Sequence, residues 1–173
     1  LEFATDLRTR SKPIIIAANK ADRVEKSDIE DFSSKIGEDI VIPTCAEAEL
    51  ALRRADKGGM IRYRPGARDF EIVDPGSLSG AQKRGLESIR EVLSRFGSTN
   101  VQNALETAAY ELLDLIVVYP VEDEHKFTDK DGRVLPDAHL IKAGSNAKDL
   151  AYKVHTDLGD NFIRAIDCRT DRT

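Results

Sequence analysis

Ile14-Ile15-Ile16-Ala17-Ala18 runs without a break into Asn19-Lys20-Ala21-Asp22. A β-branched run of this length predicts a strand. One with no polar alternation predicts a strand buried on both faces, as in parallel sheets. In such sheets the loop after the strand's C-terminal end is where ligands are read. The loop here offers an amide, an ammonium and a carboxylate at fixed spacing, a set suited to a planar, hydrogen-bonding ligand. The plainer alternative is a polar loop that starts a helix, with Asp22 as its cap.

A second apolar run, Val41-Ile42-Pro43, ends in the small-residue loop Thr44-Cys45-Ala46 before Glu47. Residues 23–40 between the runs read as a helix, with Ser27 as N-cap and Glu30 three residues on. Strand, helix, strand makes a βαβ unit whose crossover is right-handed, so both loops fall on one edge of the sheet. Alone, Thr44-Cys45-Ala46 reads as a simple helix start. One βαβ unit after Asn19-Lys20-x-Asp22, it favours a second wall of the same site.

Asn-Lys-x-Asp is the pattern that reads the guanine base in P-loop GTPases, and the residue types explain why. A carboxylate at Asp22 accepts from the ring N–H and the amino group of guanine, a charge-assisted bidentate contact. Adenine presents a bare nitrogen there and is repelled, so the site rejects as well as attracts. Lys20 lays its stem over the base while its ammonium stays wet. Asn19 both donates and accepts, and so braces neighbouring loops. In P-loop GTPases the corresponding second loop reads Ser-Ala-Lys or similar, and a backbone N–H near its alanine donates to guanine O6, which is an acceptor. The expected nucleotide-binding residues are Asn19, Lys20, Asp22, Cys45, Ala46 and Glu47. No catalytic residue and no metal ligand is expected among these 173 residues.

The chain resembles the Obg/YchF-related translation-associated GTPases, in the archaeal-type branch with a C-terminal TGS domain. The resemblance is carried by residues 12–22 and 43–50. It continues through Val118-Tyr119-Pro120-Val121-Glu122-Asp123, Leu135-Pro136-Asp137-Ala138 and His155-Thr156-Asp157-Leu158-Gly159. Cys45 stands where the family usually has Ser, which leaves the loop working but oxidisable. The intact Asn-Lys-x-Asp departs from the YchF subgroup, whose altered motif goes with ATP preference. The resemblance implies GTP as the ligand, with Mg2+ in the full-length parent. It also implies a ribosomal or RNA partner for the TGS domain and a cytoplasmic setting. The implied architecture is α/β: the C-terminal part of a P-loop GTPase domain over 1–115, with a helical segment at 79–115, then an incomplete β-grasp over 116–173.

Phosphate binding needs G-x-x-x-x-G-K-[ST], and none of the 11 glycines stands in that spacing. Asp129-Lys130-Asp131-Gly132 matches the magnesium-side D-x-x-G only superficially and reads as a hairpin turn. The chain starts at Leu1 and its only methionine is Met60. We therefore expect a fragment of a longer protein, truncated at both ends and unable to hydrolyse GTP alone. The alternative function is a non-catalytic RNA- or protein-interaction module with vestigial nucleotide loops.

Helices are expected at 47–57, ended by Gly58-Gly59, at 79–96 with core face Leu86, Ile89, Val92, Leu93 and Phe96, and at 100–115. A short extended piece is expected at 70–73. Arg53, Arg54, Lys57, Arg62, Arg64 and Arg68 form either a solvated face or an RNA contact, with Tyr63 interleaved as a stacking candidate. Strands are expected at 115–121, at 133–142 with a break at Pro136, and at 162–169. A helix capped by Ser145 or Asn146 carries Leu150, Ala151 and Val154. His155 lies near that helix's C-terminus, where a dipole role or a surface contact is expected. A β-grasp lacking its last strands exposes an edge, so the C-terminal end should be poorly stable. A net charge of −5 argues against a generally basic nucleic-acid binder. Two distant cysteines, Cys45 and Cys168, suit a reducing compartment. No apolar run reaches membrane-spanning length, so no membrane partner is expected. The sequence does not give the oligomeric state.

Overall fold

The computed structural model describes residues 11–36 and 39–172. Residues 1–10 of the expected first domain, residues 37–38 near the end of the expected helix 23–40, and Thr173 lie outside them. The chain divides into two compact units between Ala108 and Ala109.

In the first unit β1 (Ile15–Asn19) pairs in parallel with β2 (Ile40–Thr44), with Asn19 opposite Thr44. That register brings the two candidate loops out side by side. The connecting helix α1 (Lys26–Ile36) starts ahead of Ser27, the expected cap. Ser27 lies inside it and caps nothing. The backbone N–H of Glu25 instead donates to Asp28 Oδ2, 3.0 Å away, because a carboxylate three residues on reaches back to the cap position.

Helix α2 (Ala46–Lys57) is built from the strong helix formers Ala, Glu, Leu and Arg, and ends at Gly58. Two short antiparallel strands follow, β3 (Ile61–Arg62) and β4 (Glu71–Ile72). Helix α3 (Gly80–Phe96) opens on a complete capping box between Ser79 and Gln82. It closes at Gly97, whose φ of +81° lets its N–H turn back to the Leu93 carbonyl. Leu52, Ala55, Ile61, Tyr63, Phe70, Leu78, Leu86 and Leu93 form the core between α2, the β3–β4 pair and α3. Arg90 pins α3 to this pair: its guanidinium lies 4.7 Å above the Phe70 ring and donates to Asp69 and to the Phe70 carbonyl. The expected helix 100–115 is α-helical only as α4 (Val101–Glu106), then widens into a π-helical turn over Thr107–Leu112.

In the second unit β5 (Leu115–Val118) pairs antiparallel with β6 (His139–Lys142). Helix α5 (Ala147–Val154) carries a capping box between Asn146 and Asp149, which settles the cap on Asn146. A short helix, α6 (Thr156–Asp160), folds back on α5, and any side chain at Gly159 would collide with the Tyr152 ring. The strand expected at 133–142 is paired only from His139, beyond Pro136, which has no N–H to give a ladder. The Asp129–Gly132 turn forms as expected, but it closes a bridge between Thr128 and Val134 rather than joining β5 to β6. The strand expected at 162–169 is absent. Asp167 pairs with Arg172 in a local turn instead, its carboxylate accepting from Arg169 N–H and Thr170 Oγ1. Among the described residues no helix is long and apolar enough to cross a membrane.

Candidate nucleotide-base site

Asn19 ends β1 and ties both loops together. Its Oδ1 accepts from the Lys20 N–H at 2.9 Å and from the Ala46 N–H at 3.1 Å. Lys20 sits in the left-handed region, φ 65°, which turns the chain sharply off the strand. Ala21–Arg23 then makes one 3-10 turn, with Ala21 buried.

The second loop answers from β2. The Cys45 thiol donates to Asp22 Oδ1 at 3.2 Å, and the Arg23 guanidinium lies 3.9 Å from the other carboxylate oxygen, Oδ2. Burial pushes the Cys45 thiol above its ordinary pKa. A bond from the Ala48 N–H opposes this, and the Asp22 carboxylate adds to it. The thiol is therefore protonated at neutral pH, as a donor must be. Reactivity needs the thiolate, so burial and the raised pKa together work against the oxidation that a cysteine in this loop suggests.

Ala46 departs in detail from the sequence reading. Its N–H already serves Asn19. The next amide, Glu47 N–H, lies in the first turn of α2 and has no intrahelical acceptor. The Glu47 side chain is exposed, and its 4.0 Å approach to Arg23 contributes little in water.

Asp22, Cys45 and Glu47 line a cleft of about 410 Å³ whose far wall is α3, through Ser88, Ile89 and Arg95. Arg95 Nη2 also donates to the Ala21 carbonyl at 3.3 Å. The cleft thus sets Asp22, Cys45 and Glu47 against Arg95 and Glu91 across an apolar floor that includes Ala48 and Val92, while Asn19, Lys20 and Ala46 do not line it.

Glu49, Arg95 and Thr99 near the site escaped the sequence reading, and Tyr63 entered it in another role. The Glu49 carboxylate is buried, and accepts from Thr99 Oγ1 at 2.6 Å, Tyr63 OH at 2.8 Å and Arg53 Nε at 2.6 Å. Burial alone would raise its pKa. The bonds from Thr99, Arg53 and Tyr63 outweigh that and hold it below the ordinary carboxylate value. Tyr63, buried against this carboxylate, is pushed up to about 12. One signal was available: Glu49 and Arg53 stand at i,i+4, on the helix stretch that buries Ala48 and Leu52.

Tyr63 is therefore not available to stack on a base, which corrects the reading of the basic cluster. Arg53 serves Glu49, and Arg62 pairs with Glu71. Arg64 and Arg68 line a separate cleft of about 590 Å³. His155 joins α5 to α6, and its Nδ1 accepts from the Asp157 N–H at 3.2 Å, a capping role at a helix start. Among the described residues no group of three or more His, Cys, Asp or Glu could hold a metal ion.

Residues 17–123 match the family described as Obg-like GTPase YGR210-like, G4 motif-containing domain, and residues 125–169 match the TGS domain. The chain is 52% identical over 170 residues to an uncharacterized GTP-binding protein of Methanocaldococcus jannaschii, covering 98% of this chain and 43% of that one. It is 32% identical over 151 residues to an uncharacterized GTP-binding protein of Schizosaccharomyces pombe, covering 82% and 37%. The crystal structure of a GTP binding protein from Pyrococcus horikoshii OT3 superposes with a TM-score of 0.70 at 42% identity, over 98% of this chain and 43% of that one. The chain spans less than half the length of each of these proteins. With both matches in hand, the chain belongs to the YGR210-like Obg-like GTPases, as a G4 motif-containing domain followed by a TGS domain of the ubiquitin-like fold.

Proposed function

We propose that this chain reads the guanine base of GTP for a longer GTP-hydrolysing switch. The observation that carries the reading is the tie between the loops. Asn19 Oδ1 holds Lys20 and Ala46 together while Cys45 fixes Asp22, so a carboxylate edge and a helix-start amide face one cleft. In this reading Asp22 takes the ring N–H and amino group, Lys20 covers the base, and the Glu47 N–H serves O6. The phosphate grip, the Mg2+ ligands and the water-positioning groups come from parts of the longer protein outside these residues. The relatives' greater length and their naming as GTP-binding proteins support this. The TGS domain contacts a ribosomal or RNA partner, and the setting is cytoplasmic. Both follow from the family resemblance.

The test is nucleotide binding by the longer protein with Asp22→Asn. The Cys45 thiol will still find an oxygen on the new amide, which leaves the amide NH2 facing the ligand. GTP should weaken by about 1–3 kcal/mol, the scale of one bidentate base contact, and XTP, with an extra carbonyl, should gain. Unchanged GTP affinity would remove Asp22 from the site. Equal affinity of the unmutated protein for GTP and ATP would leave the interaction-module reading instead.

A further inference from the structure

We propose that the corner between α3 and α4, residues 95–99, is a brace that positions both base-reading loops, and that Thr99 and Arg95 are its positioning residues. This rests on the base-reading role of the cleft. The corner reaches each loop by a separate bond. Arg95 Nη2 donates to the Ala21 carbonyl in the loop that carries Asp22. The Thr99 carbonyl accepts from the Cys45 N–H at 2.9 Å in the other loop.

Thr99 is itself held from behind. It is 1% exposed, and its hydroxyl donates to Glu49 Oε2, the oxygen that also accepts from Tyr63. Tyr63 belongs to the core and Glu49 to α2, so three hydrogen bonds, Tyr63 to Glu49, Thr99 to Glu49 and Cys45 to Thr99, join the core to the Cys45 backbone. The corner's own shape is set locally. Gly97 and Asn100 take positive φ of 81° and 59°, and Ser98 Oγ donates to Asn100 Oδ1 while accepting from the Asn100 N–H.

The consequence is specific to recognition. A two-point contact needs the Asp22 carboxylate held in place, and Cys45 holds it at Oδ1 while Arg23 lies 3.9 Å from Oδ2. Side chains that hold a recognition group by packing and hydrogen bonds decide whether it sits in productive geometry. Loosening the corner should therefore blunt discrimination between bases, beyond any loss of stability.

The experiment measures GDP and IDP binding by the full-length protein, since hypoxanthine lacks the amino group that Asp22 reads. Thr99→Val removes the hydroxyl and keeps the shape. GDP affinity should fall about tenfold and the GDP:IDP ratio several-fold, in line with the misalignment of one bidentate contact. Thr99→Ser should restore both. A lower melting temperature with GDP affinity and ratio unchanged would overturn the brace, as would equal losses that Thr99→Ser does not rescue. Should Thr99→Val not fold, Arg95→Met removes the second bond from the helix surface. It should lower the ratio about threefold, the effect of one hydrogen bond, and an unchanged ratio would overturn the proposal. An unmutated protein that binds GDP, IDP and ADP alike would sink the base-reading role itself, a separate result from any of these.

Discussion

The two units of this chain use polar side chains in opposite ways. In the first, the bonds that shape the site join residues far apart in sequence: Cys45 to Asp22, Ala46 to Asn19, Thr99 to Glu49 and Arg95 to Ala21. In the second, the side-chain bonds are local, as between Asp129 and Arg133, Asn146 and Asp149, or Asp167 and Thr170. Burial follows the same division. The first unit has a contiguous core, whereas Ile141 is the one buried large hydrophobe among the second unit's described residues. Long-range bonds over a core give a stiff site. Local bonds shape turns and helix ends without fastening them to one another.

The comparison can be broken at its core. Leu52 is fully buried, and Leu52→Ala should cost about 3–4 kcal/mol in denaturant unfolding. Ile141→Ala should cost nearer 2 kcal/mol, because fewer atoms surround it. Equal costs would mean the second unit has a core as dense as the first. Next comes Glu49→Gln, which should cost about 1–2 kcal/mol at neutral pH, because the charge-assisted bonds weaken. The pH dependence has a definite sign. The Glu49 carboxyl is held low when folded, so its stabilisation is present above the unfolded pKa and lost as pH falls through the folded one. The gap between the parent and Glu49→Gln should therefore close in acid, and a constant gap would remove the charge from the account. Asn146→Ala should cost about 1 kcal/mol, the value of one helix cap, seen as faster hydrogen exchange over α5. Ile163 is 91% exposed, and Ile163→Ser should stay within about 0.5 kcal/mol.

What the sequence made legible follows the same line between local and distant. The isoleucine run, the helix formers of α2, Ser79 with Gly97 and the Asn-Lys-x-Asp spacing are all written in neighbouring residues. The partners of Glu49 are not. Tyr63 and Thr99 lie 14 and 50 positions away, and no period links them. Arg95 reaches Ala21 across 74 positions. The errors were local too. Ser27 is a good cap by type, but Asp28 places the reciprocal bond two residues earlier, at Glu25. Residues 162–169 have β-branched residues without a partner strand among those described, so propensity had nothing to pair with.

The buried thiol at Cys45 has a use of its own. It can be alkylated only when its loop swings away from Asp22 and α2, so its labelling rate counts how often that happens. Cys168, part-exposed, reacts without any such wait and serves as a reference in the same tube. A nucleotide that seats against the Cys45 loop should slow the first rate and leave the second alone. The chain thus carries a clock at the candidate site, set by one sulfur.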